Sequence, residues 1–195
     1  DWLQRLVAYA IQPETGAVGP KLLYPNGTIQ HGGVVRGMGG IAAHIGQKLS
    51  RDTTDFFYQF QLPRWCTAVT GVRKELFFLF GGFDEAALKV AFNDVDFCLK
   101  LHEGGYHNTY IGDVELYHLE SISRGCEDTP EKQARFQREI STMIGRWGEQ
   151  LIWDPFYSAH YSRESSFPTI LKANETPYLS KCYTWKSWEG SESYR

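Results

Sequence analysis

The chain has 195 residues, 42% of them hydrophobic and 15% aromatic, and a net charge of −3. That is enough apolar content for one core, or one domain plus a tail, and the scattered Lys and Arg give no reason to expect nucleic acid. No apolar run approaches membrane-spanning length and no signal peptide is visible, while Asp1 in place of Met reads as a fragment, a processed product or an unseen start.

Asp1 to Gln12 reads as a helix, with Trp2, Leu3, Leu6, Val7 and Ala10 on an apolar stripe. Pro13 to Gly16 ends it. Ala17 to Tyr24 reads as a strand interrupted by Pro20, which predicts an edge or a strand start there. Pro25-Asn26-Gly27 is a tight-turn signal, and Thr28 to Arg36 reads as the returning strand of a hairpin. Gly37 to Gly46 is glycine-rich and holds His44, but it has no GxxxxGK pattern and reads as a flexible loop over a cleft. Ser50 to Pro63 is polar and then aromatic. Trp65 to Val72 reads as a buried strand and Arg73 to Phe80 as a short helix.

A glycine turn follows, Gly81-Gly82-Phe83-Asp84-Glu85, and then a helix opens at Asn93-Asp94-Val95-Asp96. Val95 with Leu99, and Phe97 with Leu101, recur at spacings of four and share helical faces. Gly104-Gly105 caps the end. Tyr106 to Ile111 and Val114 to Leu119 read as two short strands. Pro130 to Trp147 reads as an amphipathic helix that starts on Thr129-Pro130 and turns Phe136, Ile140, Met143 and Ile144 inward. Phe156 to Arg195 reads as an extended tail that wraps the domain or a neighbouring chain, so the expected division is 1–153 and 154–195. The cysteines Cys66, Cys98, Cys126 and Cys182 form no CxxC pair, which argues against structural zinc and for a reducing compartment. Cys98 reads as a buried packing thiol.

The helix start draws the chemistry. Asn93 is a good N-cap residue, and Asp96 lies three residues later, where a side chain reaches back to the cap. Asp94 is spare. Its plain reading is an acid that complements the helix dipole. Its functional reading is a general base, weakened by the helix N-terminus but adequate for late proton transfer to a good leaving group.

The stretches Val18 to Val35, Gly81 to Glu85, Phe92 to Tyr106, Glu115 to Gly125, Ala134 to Gly148 and Asp154 to Ser158 match one family together. In order, they resemble the later half of a family 2 glycosyltransferase of the bacterial, rhamnosyltransferase-like kind. The resemblance implies an α/β fold: a partial GT-A-like sandwich, with a mixed sheet flanked by helices and an extended C-terminal tail. It implies sugar transfer from a nucleotide-sugar donor to a glycan or lipid-linked glycan hydroxyl, with inversion. Asp94 matches the family's general base, and Asn93 replaces the acid that usually precedes it. Gly81, Gly82, Phe83 and Asp84 match the acceptor platform, although Gly81-Gly82 can equally be a helix C-cap, Phe83 a core ring and Asp84 a local cap. His118 matches a His that reaches the metal or the donor diphosphate, and its plain alternative is an imidazole bonded to backbone at a strand end.

The family's nucleotide-binding half and its metal-binding DXD motif precede this stretch, and Asp52-Thr53-Thr54-Asp55 does not replace that motif. A divalent cation, Mg or Mn, is thus expected in the full-length enzyme and is not held securely here. The strand around Val69-Thr70-Gly71 is shorter than the family's. A cytoplasmic location is implied, peripheral at the inner face of the membrane. Two other functions stay open. One is a non-catalytic acceptor-binding or dimerising module, paired as a homodimer through a sheet edge or the tail. The other is a metal-dependent hydrolase using Asp94, Asp96 and His118, which is disfavoured because DxD on a helix splits the acids between faces.

Overall fold

A computed structural model describes residues 1–53, 62–64, 68–119, 129–152 and 154–172, leaving aside the side chains of 62–64. The aromatic run at 54–61, the first three residues (65–67) of the expected strand, Cys66, Cys126, Cys182 and the tail from 173 onward lie outside the described residues.

The protein is mixed α/β. Helix α1 (Trp2–Ala10) leads into strand β1 (Thr15–Leu23). Strands β2 (Ile29–His31), β5 (Leu62–Arg64), β6 (Gly71–Val72) and β7 (His107–Tyr117) complete one sheet in the order β2-β1-β7-β5, with β6 also on β1. Among the described strands of this sheet, β1 and β7 run parallel and the other pairs are antiparallel. The expected pair of short strands at 106–119 is instead one strand, β7. Its irregularity is a register slip: Pro20 faces Ile111 but Lys21 faces Glu115, so Gly112 to Val114 bulge out.

Pro20 marks neither an edge nor a strand start, contrary to its sequence signal. It sits mid-strand in β1, between Ala17-Val18, paired with β6, and Leu22-Leu23, paired with β2. The N–H that proline lacks therefore falls in a gap between two neighbours, where no ladder bond is lost.

The hairpin from β1 to β2 forms as expected. Tyr24 and Thr28 close it, Asn26 Oδ1 accepts the Thr28 N–H at 3.0 Å, and Gly27 supplies the positive φ of 81°. The returning strand is broken, however. After Gly32-Gly33, strand β3 (Val34–Arg36) leaves the main sheet and pairs with β4 (Ala42–His44). The glycine-rich stretch is thus not a loose loop. Met38, Ile41 and Ile45 are buried, and Met38 and Ile45 join Leu23, Ile29, Val35 and Tyr157 in a second core.

Helix α2 (Lys74–Leu79), helix α3 (Asn93–Glu103) and helix α4 (Pro130–Trp147) follow. The main core lies between α3, α4 and the sheet, with Phe97, Leu99, Leu101, Ile140, Met143 and Trp147 at its centre. Cys98 is buried there, as its neighbours suggested. Thr129 caps α4 by accepting the Lys132 N–H, with Pro130 in the first turn. On the other face, α1 packs Leu6 and Ala10 on Val18, Ile111 and Val114. The rest of its expected inward stripe is exposed, with Trp2 at 46%, Leu3 at 57% and Val7 at 46%. No helix among the described residues is long and apolar enough to cross a membrane.

Candidate functional site

Asp94 stands in the first turn of α3, half-buried, with Oδ1 2.9 Å from the Val95 N–H. The helix start is not capped as expected. Phe92, not Asn93, holds the N-cap position, with φ 63° and no side-chain cap bond. Asn93 is the first helical residue. A bulky residue in the left-handed region is strained, and such residues persist where their surroundings over-determine them, often at functional sites.

Asp96 does not reach back to the cap either. It is wholly buried and points across to α4. Its Oδ1 accepts from Trp147 Nε1 at 2.9 Å and Arg146 Nη1 at 3.1 Å, and its Oδ2 pairs with Lys100 Nζ at 2.7 Å. Helical rotation had left Asp94 and Asp96 on different faces, and the structure uses them so. Asp96 anchors α3 to α4 and has no capacity left for a metal, which removes it from the hydrolase reading.

The glycine turn before α3 is held equally firmly. Gly81 and Gly82 have φ of 76° and 60°. A Cβ on Gly82 would lie 2.8 Å from the Phe77 ring. Phe83 sets its ring edge-on to Phe77 and Phe97, with centroids 5.5 and 5.6 Å away, and leaves 36% of its surface exposed. Asp84 caps the following segment: Oδ1 accepts the Ala86 and Ala87 N–H groups at 3.0 and 2.9 Å, and Oδ2 pairs with Arg146 Nη2 at 2.5 Å. The Ala87 amide first, and then the Arg146 guanidinium, hold the Asp84 carboxyl below its ordinary range.

Arg146 thus ties Asp84 and Asp96 together. Sequence reading missed it, along with Glu139 and Trp147. Glu139 is 1% exposed, and its carboxylate accepts the Val90 and Ala91 N–H groups at 3.0 and 3.2 Å. The available signal was position: Phe136, Glu139, Ile140, Met143 and Trp147 share one face, so the acid occupies a core slot of α4.

His118 lies just past β7. Its N–H donates to Leu23 O at 2.9 Å, and its Nδ1 sits 2.8 Å from Gln30 Oε1. Helix α3 turns tightly into β7, so the start of α3 and the end of β7 lie toward one end of the sheet. At that end Lys21 is buried against Glu115 at 3.1 Å, and Arg51 reaches the other oxygen of the same carboxylate at 2.6 Å. Nearby, His31 Nε2 accepts the Ala68 N–H at 3.2 Å, so neutral His31 carries its proton on Nδ1 and donates it to His44 Nδ1 at 2.8 Å. No group of three or more His, Cys, Asp or Glu side chains among the described residues could hold a metal ion.

The chain is similar to two curated proteins. An uncharacterized protein of Sinorhizobium fredii, y4gI, is 45% identical over 168 residues, which is 84% of this chain and 18% of that protein. The O-antigen biosynthesis protein RfbC of Myxococcus xanthus is 39% identical over 166 residues, 82% of this chain and 12% of that protein. The chain therefore spans less than a fifth of the length of the curated relatives it matches. No family model matches the chain, and no solved structure does.

Proposed function

We propose that this chain is the acceptor-side part of a polysaccharide-building glycosyltransferase, with Asp94 as general base. The observation that carries the reading is the division of labour at the start of α3. Asp84 and Asp96 tie the start of α3 to its surroundings through Arg146, Trp147, Lys100 and backbone amides, and Asp94 stands half-exposed in the first turn on that frame. The similarity to an O-antigen biosynthesis protein supports glycan assembly as the setting.

In this reaction an acceptor hydroxyl oxygen attacks the anomeric carbon of a nucleotide-sugar. The new C–O bond forms as the bond to the diphosphate breaks, and the nucleotide diphosphate leaves with the electron pair. The hydroxyl proton passes to the Asp94 carboxylate. The exposed side of Phe83 offers the sugar an apolar surface, and its edge-on contacts with Phe77 and Phe97 fix the ring. His118 serves the donor side. A divalent cation held by the family's nucleotide-binding half would supply the positive charge that the leaving diphosphate needs.

The test is Asp94→Asn in the longer protein that carries the donor site. Its kcat is expected to fall by about 10²–10⁴-fold, with the donor KM and the thermal midpoint unchanged. Transfer at the parental rate would remove Asp94 from the chemistry. Retained glycan binding without any transfer in the parent protein would favour the non-catalytic acceptor module.

A further inference from the structure

Three points of α4 hold successive points of the irregular segment that delivers Asp94. Arg146 binds Asp84 at its start. Glu139 grips the Val90 and Ala91 amides in its second half. Phe136 stacks on Phe92 at its end, with ring centroids 5.6 Å apart and planes 26° apart. Of these, Glu139 is the costly one. A carboxylate that is 1% exposed on a core face is tolerated only if its charge is compensated. Its partners are two backbone N–H groups and Arg135, one turn earlier on α4, at 3.8 Å. Packing alone would be served better by a Leu or Met in that slot.

Just beyond the gripped amides lies Phe92, with its φ of 63°. The left-handed turn there sets the angle at which α3 leaves the segment, and hence where the first-turn side chains point. A strained residue relaxes unless both flanks are fixed. Glu139 fixes one flank, and the Asp96 anchor fixes the other through Arg146 and Trp147.

We infer that Glu139 is the positioning residue for Asp94: its buried carboxylate clamps the amides of residues 90 and 91, locks the left-handed turn at Phe92, and so aims the Asp94 carboxylate at the acceptor. This rests on the reading of Asp94 as base. Glu139 touches no substrate and takes no part in the proton transfer.

The test combines hydrogen exchange with kinetics on the longer protein, using Glu139→Gln and Glu139→Met. Gln loses the charge and turns an N–H toward an N–H. Met fills the core slot without a buried polar group, which keeps the helix packed if Gln does not fold. Exchange of amides 89–95 is expected to rise by about tenfold or more, while β1 and β7 stay protected. The kcat is expected to fall about ten- to a hundredfold at constant donor KM, as a small misplacement of a reacting group does. Unchanged exchange at 89–95 in a folded variant would overturn the clamp. Raised exchange with parental kcat, where Asp94→Asn is inactive, would overturn the positioning role and leave the base reading intact. Parental transfer by Asp94→Asn would sink the base reading alone, and the exchange data would still decide the clamp.

Discussion

At the scale of single residues, the acids around α3 look alike in sequence and do different work. Asp96 is buried with an indole N–H, a guanidinium and an ammonium group around it. Removing it leaves Trp147 Nε1 without its acceptor, takes the partner from Lys100, and leaves Arg146 with Asp84 alone. Asp96→Ala is therefore expected to cost about 3–5 kcal/mol in urea unfolding. Asp94→Asn should cost little, because that side chain is half-exposed and the Asn amide oxygen can still accept from the adjacent Val95 N–H. Equal losses from the two changes would contradict this division. Asp84 adds a pH dependence. Its folded-state carboxyl titrates below its ordinary value of 3.8, so its contribution is complete above that pH and fades as pH falls through the lower folded value. Arg146→Gln should flatten this acid limb of the stability curve. A curve that keeps the parental slope in that variant would place the effect elsewhere.

At the scale of elements, the junction of α3 with β7 depends on small size at one position. A Cβ on Gly104 would sit 2.2 Å from Phe80 Cζ and 2.6 Å from Cε1. Phe80 cannot swing freely, because its ring stands edge-on to Tyr106 at 5.9 Å. Gly104→Ala is expected to lower stability by about 1–3 kcal/mol. The double change with Phe80→Ala should be less costly than the sum of the single changes, since the clash disappears with the ring. Strict additivity would mean that the glycine is needed for backbone freedom instead. This junction was legible in sequence, because a Gly-Gly pair after an amphipathic run is a local signal. Helix α4 was legible for the same reason, through Thr129-Pro130 and its apolar period. The roles of Glu139 and Arg146 were not legible, because their partners lie far away: Val90 is 49 residues from Glu139, and Asp96 is 50 from Arg146. Capping rules gave Asp96 a local job at the helix start, and the actual partners are long-range ones that no local rule contains. Pro20 misled in the same way, since proline marks a missing ladder bond but not which strands flank the gap.

At the scale of the whole molecule, the mixed α/β fold was the one that the family resemblance implied, but the second core was not readable. Its glycines suggested a loose loop because flexibility is a local property. Burial there comes from residues more than a hundred positions later. Asp154 Oδ2 accepts the Arg36 N–H at 2.9 Å, its Oδ1 accepts the Phe156 N–H at 2.9 Å, and Arg163 donates to Arg36 O at 2.5 Å. These bonds seat Tyr157, 4% exposed, against Leu23, Ile29 and Val35. Burial pushes the Tyr157 phenol up to about 12 from its ordinary value of 10.0. The unfolded chain ionises at the lower value and the folded chain at the higher, so this contribution is full below pH 10.0 and is lost between there and about 12. The phenol thus reports on the seating of the whole segment. Asp154→Ala removes the acceptor for two backbone donors, and each loss costs about 1–3 kcal/mol when the donor is left buried. If these bonds are what hold the segment down, Asp154→Ala should also expose Tyr157 to water, and one tyrosinate transition should move from about 12 toward 10.0 in an absorbance titration. A stability loss with the phenol still raised would show that Tyr157 is held by its own packing and by its hydroxyl bond to Ser162 O at 2.9 Å, with Asp154 serving only the turn around it.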